Sequence, residues 1–460
     1  MTRTDPAPPP LRVRSIEIED PGPLPALLPE QGSFAWVHRG QGMVGWGEVV
    51  RHKPTSIADA REWWAELARS VVVEGELADP PLGTGLLAFG SFVFDERSAA
   101  RSTLVVPSVV VGRRDGRAWL TQIGTDLDTP TPVAPTGPPR PPVGVSYADG
   151  ALSAPAWQVA VSEAVRRIGE GELDKVVLAR DVVATAGADL DPRWLVQRLA
   201  ERYPSCWTYL VDGLVGATPE MLVRREGGLV TSRVLAGTIR RSAGAAPDTR
   251  LAAGLARSSK DLEEHAYAVA SVARALAPYC SGLHVPEAPY VLELPNVLHL
   301  ATDVTAVAGP DATSLGLAAA LHPSAAVCGT PTLLARELIA ELEHLDRERY
   351  AGPVGWVDAS GDGEWGIALR CGQLDETDPR RIRLYAGCGI VAGSDPEAEL
   401  AEAAAKLVPM REALAAPPRP VRAPGLSAGP SCSGVAPGQR RVRQGGDDGG
   451  YGRGRAATRS

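Results

Sequence analysis

The sequence predicts a mixed α/β fold of the α+β type, because strand-like and helix-like segments alternate over most of its 460 residues. Strands are indicated by apolar runs such as residues 85–95 and 102–114. Helices are indicated by apolar side chains that repeat every three to four positions, as in residues 155–169. With 44% hydrophobic residues, the chain can bury a substantial core. These observations favour a globular protein of one large or two ordinary domains.

The N-terminal part of the fold is predicted to cover residues 15–150, after a flexible segment at residues 1–14. An amphipathic helix is indicated near residues 56–73. Residues 127–143 contain seven prolines, which is typical of a stiff connector or a long surface loop.

Residues 151–416 contain most of the predicted helices and strands. The helix at 155–169 ends at Gly171, and the apolar run 173–186 then predicts a strand. The last helix, at 395–415, has Ser394 or Asp395 as its N-cap. The other predicted elements are strands at about 206–216, 221–226, 229–236, 298–306, 353–358, 364–373 and 381–387, and helices at about 260–279 and 332–346.

The C-terminal tail, residues 417–460, consists largely of Pro, Gly, Ser and Arg, and is predicted to be disordered. Its eight arginines and two aspartates give a charge of +6, so the net charge of −8 leaves −14 for the rest of the chain. An acidic body argues against a nucleic-acid-binding core. An arginine-rich tail that grips nucleic acid is the non-enzymatic alternative.

Cysteine usage and hydropathy predict a cytoplasmic protein without zinc. The N-terminus has no apolar signal segment, and no run of 18 apolar residues occurs. Six cysteines lack CxxC or other metal-type spacing, which favours free thiols in a reducing compartment.

Lys175 is unusual because it lies in the apolar strand-like run 173–186. Strand alternation places it on one face with Val177, Ala179 and Asp181. Lysine is seldom buried, so two interpretations are open. Its ammonium could reach solvent at the strand end. In a cleft, desolvation would lower a lysine's pKa and allow it to act as a general base.

Acidic residues offer three further candidate sites. Glu399, Glu402 and Lys406 share one face of the last helix, where they could hold a hard cation and an anionic substrate, or form an exposed ion pair. Glu264 lies in the first turns of a helix, where it could complement the helix dipole or bind a metal. Glu220 follows a proline at a turn, and is either a solvated acid or a proton donor.

Gly387, Gly389 and Gly393 form a GxGxxxG pattern between a strand and a helix. A dinucleotide site would require a second strand with an acidic residue after the helix, and the tail follows instead. The glycines could rather direct backbone N–H groups at a carboxylate.

Together these segments resemble the chorismate-utilising enzymes, most closely the isochorismate synthases of menaquinone and siderophore pathways. The resemblance covers roughly residues 151–415 and rests on motifs kept in order. They are LDKVVLARD (173–181), GATPEMLV (216–223), LAGTIRR (235–241), KDLEEH (260–265), LHPSAAVCGTP (321–331), GPVGWVDASGDGEWGIALRC (352–371) and RLYAGCGIVAGSDPEAELAEAAAKL (383–407).

The resemblance implies a large fold of two subdomains, with mostly antiparallel sheets and outer helices around a deep cleft. It also implies a magnesium-dependent enzyme that isomerises chorismate to isochorismate. Water adds at ring carbon 2 and the 4-hydroxyl leaves. By resemblance, Lys175 is the base that activates water, and Glu220 is the acid that protonates the departing hydroxyl.

The resemblance also assigns binding residues in residues 151–416, the catalytic region. Glu264 and Glu402 match magnesium ligands, and Glu399 would support the metal through water. Arg370 and Lys406 match residues that hold substrate carboxylates. His299 is a further candidate. The substrate-binding set is Gly237, Thr238, Ala326, Arg370, Tyr385, Gly387 and Lys406.

Two positions distinguish branches of this family. Anthranilate synthases have glutamine where this chain has Lys175, and aminodeoxychorismate synthases have a nucleophilic lysine in place of Ala236. By this resemblance, Lys175 together with Ala236 indicates water as the nucleophile. Salicylate synthases, which go on to eliminate pyruvate, share the lysine and remain the alternative, although their PIAGT differs from VLAGTIRR at 234–241. A monomer that binds chorismate is expected, with a dimer as the alternative.

Overall fold

The computed structural model describes residues 10–415, apart from 76, 78, 129, 130, 241–248 and 296. These residues belong to one compact unit, 1–417. The predicted disordered tail, 417–460, lies outside the described residues. Within the described part, no helix is both long and apolar enough to cross a membrane.

Strands account for much of the described chain. They are β1 Arg12–Ile18, β2 Ser33–His38, β3 Gln41–Trp46, β4 Val50–His52, β5 Val72–Val73, β6 Leu87–Ser91, β7 Thr103–Val106, β8 Val109–Arg114, β9 Arg117–Gly124, β10 Ser146–Asp149, β11 Lys175–Thr185, β12 Trp207–Val211, β13 Leu214–Thr218, β14 Met221–Glu226, β15 Leu229–Arg240, β16 Cys280–His284, β17 Tyr290–Glu293, β18 Val297–Ala308, β19 Gly329–Thr330, β20 Pro353–Asp358, β21 Gly363–Ile367, β22 Cys371–Leu374 and β23 Arg381–Ile390.

The helices connect these strands. They are α1 Ile57–Ser70, α2 Ala154–Gly169, α3 Pro192–Arg202, α4 Thr249–Leu255, α5 Ser259–Leu276, α6 Ser314–Leu321, α7 Thr332–Glu343 and α8 Pro396–Leu414, with a short 3₁₀ helix at Leu24–Leu27.

The described strands form two large sheets. One has the order β10-β11-β23-β22-β13-β12-β2-β3-β8-β9-β1-β5, with β19 also paired to β11. The other has the order β16-β18-β15-β14-β21-β20-β6-β7-β4, with β17 also paired to β18. Neighbours are antiparallel except for β1 and β5. The mostly antiparallel α+β architecture expected from the sequence is therefore confirmed.

Two strands lie at the predicted boundaries of the N-terminal part. The flexible segment was expected to reach residue 14, but β1 begins at Arg12 and pairs with β9 along its whole length. Val13 of this strand is buried, and Ser15 Oγ lies 2.7 Å from Thr121 Oγ1 of β9. At the other boundary, β10 precedes residue 151 and pairs with the Lys175 strand β11. The sheet that carries Lys175 thus includes strands from both parts of the sequence.

The two sheets share one core. Large aromatic side chains from both are fully buried, among them Trp36 of β2 and Trp356 and Trp365 of the second sheet. Trp36 Nε1 donates a hydrogen bond of 2.6 Å to Glu364 Oε2, which links the sheets through a buried polar contact. The two expected subdomains are therefore parts of one compact unit.

Helix α8 packs against β23 and begins with a regular N-cap. The Asp395 carboxylate accepts a 2.8 Å hydrogen bond from the Ala398 N–H, and Pro396 occupies the first turn, as the sequence predicts. Ala403 and Leu407 are buried and hold the helix in place. This packing directs Glu402 toward the end of β23, together with Glu399 of the first turn and Lys406 of the third turn.

Candidate active site

A cleft of about 210 Å³ lies where strands of both sheets meet helix α8. Strands β11 and β23 of the first sheet, β15 of the second and the turn before β14 contribute to its walls. Its described charged or ionisable lining residues are Lys175, Glu220, His299, Arg347, Tyr350, Arg370, Glu399, Glu402 and Lys406.

Lys175 is the first residue of β11 and lines the cleft. Only 9% of its surface is exposed, so the ammonium does not simply extend into solvent from the strand end. Its backbone pairs with Thr330 of β19 on one side of the strand. Val177, two residues further along, lines the same cleft, as strand alternation predicts.

Glu220 lies on the tight connection between β13 and β14. Its N–H donates to Thr218 Oγ1 at 3.2 Å, and its carbonyl accepts from the Ile367 N–H at 3.2 Å. The side chain is buried, and burial raises the carboxyl pKa to about 7, although Arg370 and Lys175 oppose that shift. A carboxyl group with this pKa holds a proton in a large share of molecules at neutral pH.

Arg370 and His299 form a buried pair in the cleft. Arg370 sits between β21 and β22 with a left-handed backbone, φ 51°, a conformation that non-glycine residues adopt at a cost. Its Nη2 lies 3.3 Å from His299 Nε2. Burial holds the pKa of His299 well below its ordinary value, and the nearby Arg370 and Lys406 act in the same direction. The neutral imidazole can therefore accept a hydrogen bond from the guanidinium.

Glu402 and Lys406 pair across one turn of α8. Lys406 Nζ lies 2.7 Å from Glu402 Oε1 and donates a 2.9 Å hydrogen bond to the Gly387 carbonyl. Burial alone would raise the pKa of Glu402, but the Lys406 ammonium outweighs it and holds this pKa below its ordinary value. The pKa of Lys406 is raised, since the attraction of Glu402 exceeds the effect of burial. Both groups are therefore charged at neutral pH.

Glu399, Glu402 and Cys388 bring ligand atoms within 4.8 Å of one another. The Glu399 carboxylate accepts a 2.8 Å hydrogen bond from Ser394 Oγ. Burial raises the pKa of the Cys388 thiol far above its ordinary value, so the sulfur stays protonated. Carboxylate oxygens suit a hard cation such as Mg²⁺, whereas a neutral thiol does not. The two glutamates are thus the described groups that fit magnesium.

Small residues shape the rest of the cleft. Gly237 has φ 73° at a β-bulge of β15, a conformation that favours glycine. A Cβ at Gly387 would lie 3.0 Å from the Leu178 carbonyl and 3.1 Å from Tyr350 Oη, so a side chain would crowd the wall. Ala326 lies in the turn that joins Ser324 to the residues before β19.

Three other residues that the sequence assigns to the site are not found among the described lining residues. The side chains of Thr238 and Glu264 lie outside the described part of the chain. Tyr385 does not line the cleft, contrary to expectation. Its ring stacks on Tyr350 at a centroid distance of 5.1 Å, and its hydroxyl donates to Glu348 Oε2 at 3.2 Å. Tyr350 covers this face, and so it lies between Tyr385 and the cleft.

Two lining residues were not anticipated. Arg347 and Tyr350 both follow helix α7 and reach the cleft from a segment that has no periodic pattern. The sequence RERYAG at 347–352 carries an arginine and a tyrosine three residues apart. Charged residues within an irregular segment are usually solvated, so this signal alone would not place them in a cleft.

Comparisons with known proteins relate the chain to chorismate-binding enzymes. The sequence profile described as chorismate binding enzyme matches residues 137–415. Isochorismate synthase DhbC of Bacillus subtilis is 43% identical over 266 residues, which cover 55% of this chain and 66% of that protein. The salicylate biosynthesis isochorismate synthase of Pseudomonas aeruginosa is 34% identical over 419 residues, which cover 84% of each chain.

The fold is also similar to that of a solved structure. MenF, the menaquinone-specific isochorismate synthase of Escherichia coli, superimposes with a TM-score of 0.74 at 26% identity. The match covers 90% of this chain and 97% of that one. The similarity thus includes the N-terminal residues, for which the sequence motifs are least distinct.

Proposed function

Because the chain belongs to the chorismate-binding enzyme family, we propose that it is an isochorismate synthase, an enzyme that converts chorismate to isochorismate. In this reaction a water molecule adds at ring carbon 2 and the 4-hydroxyl leaves as water. The product would feed menaquinone or siderophore biosynthesis.

The observation that carries the proposal is the pairing of Lys175 and Glu220 in one cleft. Both line it, and both are almost fully buried. Burial raises the pKa of Glu220 to about 7, so this carboxyl group can donate a proton near neutral pH. Two ionisable groups in different environments are the usual basis of an acid and base pair.

The proton transfers balance as follows. Lys175 takes a proton from the attacking water as the new C–O bond forms at carbon 2. Glu220, in its protonated form, gives a proton to the 4-hydroxyl as its C–O bond breaks. Water therefore enters and leaves, and the ring double bonds shift without net oxidation. Solvent then restores the proton to Glu220 and removes it from Lys175.

Chorismate carries two carboxylates, and we assign Arg370 and Lys406 of the cleft to bind them. Arg370 presents a planar guanidinium, which suits a carboxylate. Lys406 is partly buried and already donates to the Gly387 carbonyl. Cations in the cleft counter the acidic character of the body, which otherwise repels a dianion.

Magnesium fits the carboxylates of Glu399 and Glu402, and the resemblance adds Glu264 on α5. When bound, the ion supplies positive charge against the ring carboxylate of the substrate. Glu402 is held in its ionised form by Lys406, which prepares it to be a ligand.

Water as the nucleophile follows from Lys175 together with Ala236. Ala236 lines the cleft and is buried, so its methyl group offers no amine to attack carbon 2. In the water-using enzymes that this chain resembles, a lysine stands at this strand position, and we propose the same nucleophile here. The described cysteines, Cys206, Cys280, Cys328, Cys371 and Cys388, are free, as expected for an enzyme of the cytoplasm.

The direct test is to incubate the purified protein with chorismate and Mg²⁺ and to resolve the products by chromatography. We expect isochorismate, formed only when Mg²⁺ is present. Salicylate with pyruvate would instead identify a salicylate synthase. Absence of turnover, combined with salt-sensitive nucleic-acid binding that disappears when residues 417–460 are deleted, would favour the non-enzymatic alternative.

A further inference from the structure

Strand β11, which carries Lys175, has one edge that other described strands cover only in part. Along its other edge, β23 pairs with residues 176–185. On the open edge, β19 pairs with residues 175–176 and β10 with residues 182–185. Residues 177–181 thus lie in a gap between two short strand partners, immediately after the lysine.

Side chains and single backbone groups complete this edge. The Val177 N–H donates to the Cys328 carbonyl at 2.8 Å, and the Val177 carbonyl accepts from Arg347 Nη2 at 2.7 Å. The Ala179 N–H donates to Glu343 Oε1 at 2.6 Å, and its carbonyl accepts from Trp157 Nε1 at 2.9 Å. Buried backbone groups need such partners.

Glu343 and Arg347 form a buried ion pair, with exposures of 2% and 3%. Arg347 Nε donates to Glu343 Oε2 at 2.9 Å, and Nη1 donates to the Val327 carbonyl at 2.8 Å. The guanidinium also lies 4.3 Å from the centroid of the Phe94 ring. One arginine therefore joins the Lys175 strand to the turn that carries Ala326.

A buried ion pair is a costly way to fill a core, because both charges lose their hydration. Apolar residues of similar size would often stabilise the fold equally well or better. They could not, however, bond to the Val177 and Val327 carbonyls and the Ala179 N–H. Val177 and Val327 both line the cleft, so the polar contacts act at the place where substrate would bind.

We propose that Glu343 and Arg347 are positioning residues for the Lys175 base: they fix strand β11 relative to the turn at 324–328, and thereby hold the Lys175 amine at the attacking water. The role rests on the proposed function of the cleft. It predicts an effect on kcat larger than the effect on KM, because Arg370 and Lys406 supply the substrate contacts.

The test separates position from stability. Arg347→Met alone leaves Glu343 buried and unpaired, which destabilises the fold. The double variant Glu343→Gln with Arg347→Met removes both charges, and we expect its Tm to recover most of that loss. Its kcat should remain about 10- to 100-fold below wild type, with KM changed less than about threefold. Recovery of kcat together with Tm would overturn the proposal.

A matched control uses the same helix. Glu341 of α7 pairs with Arg167 of α2 on the surface, two residues from Glu343. Glu341→Gln with Arg167→Met makes the same chemical change without touching β11, and kcat should not change.

Arg347→Lys keeps the charge but loses the several N–H donors of the guanidinium, so its kcat should lie between that of wild type and that of the double variant. Full activity of Arg347→Lys would contradict the need for two donors.

Hydrogen–deuterium exchange provides a measurement that does not depend on turnover. Peptides covering residues 175–181 should exchange faster in the double variant than in wild type and in the Glu341/Arg167 control. Unchanged exchange would overturn the positioning role even if the enzyme is active. Lack of chorismate turnover by wild type would refute the proposed function instead, and the two failures are therefore distinguishable.

Discussion

Two glutamates in the same cleft, the buried Glu220 and the partly buried Glu402, have opposite protonation behaviour. The pKa of Glu220, between β13 and β14, is raised to about 7, and that of Glu402, on α8, is lowered. Burial raises the pKa of both. The difference comes from the neighbours. Glu402 has the Lys406 ammonium at 2.7 Å, whereas burial raises the pKa of Glu220 by more than the nearby Arg370 and Lys175 lower it.

This contrast teaches how one cleft can hold both an acid and a metal ligand. A carboxyl group on which burial outweighs the nearby cations can keep its proton near neutral pH and donate it. A carboxylate with a cation one helical turn away stays ionised and can bind Mg²⁺. Lys175 on β11 and Glu220 before β14 are thus suited to proton transfer. Glu399 and Glu402 on α8 are suited to binding a metal ion.

The largest effect is expected when the base is removed. Lys175→Ala should lower kcat about 1,000-fold, within the range for a general base, while Tm stays close to that of wild type. Steady-state kinetics with chorismate and thermal unfolding measure the two quantities. Lys53→Ala, at an exposed lysine, is the control. Wild-type kinetics in Lys175→Ala would exclude Lys175 as the base.

Removing the acid is expected to have the next largest effect. Glu220→Gln should lower kcat about 100-fold, because the amide cannot protonate the 4-hydroxyl. In wild type, kcat/KM should decrease as pH rises through about 7, since the carboxyl group then loses its proton. A pH–rate profile checks this. An alkaline decline at the same pH in Glu220→Gln would assign it to another group.

Stability should follow the same titration. The folded-state pKa of Glu220, about 7, lies above the ordinary value of 4.5. The proton therefore stabilises the folded state below pH 4.5, and this contribution is lost as pH rises through 7, by up to about 3 kcal/mol. The unfolding free energy of wild type relative to Glu220→Gln should fall between pH 5 and 8. A constant difference would contradict the raised pKa.

The smallest of these effects is expected for Glu402 on α8. Glu402→Gln removes one negative ligand, and should raise the Mg²⁺ concentration needed for half-maximal activity about 10-fold or more. Titration of activity with Mg²⁺ measures this. Glu397→Gln, at an exposed position of the same helix, provides the control. An unchanged titration in Glu402→Gln would remove Glu402 from the set of metal ligands.

Local patterns in the sequence predicted much of the site. Alternation along β11 placed Lys175 and Val177 on one face, and the spacing of three and four placed Glu399, Glu402 and Lys406 on one side of α8. The elements themselves were also largely predicted. Two predicted strands, at 206–216 and 364–373, are each split in two by short connections.

Long-range contacts were beyond prediction from local patterns. Tyr385 shares a strand face with Gly387, but Tyr350, far away in the sequence, covers it. The hydrogen bond from Ala179 to Glu343 spans 164 positions of the chain, and no periodicity reports such a contact. Helix α3 was not predicted, although Asp191 and Pro192 form a regular N-terminus for it.

The opposite states of the two glutamates can be measured directly by infrared spectroscopy of carboxyl groups across a pH titration. We expect the difference spectrum of wild type minus Glu220→Gln to show a protonated carboxylic acid band that disappears with a midpoint near pH 7. Other acids, such as Asp358, whose pKa burial raises to about 6, contribute to both proteins and cancel. The same band should remain in Glu402→Gln. A difference spectrum without this band, or loss of the band in Glu402→Gln, would contradict the assignment of Glu220 as the acid.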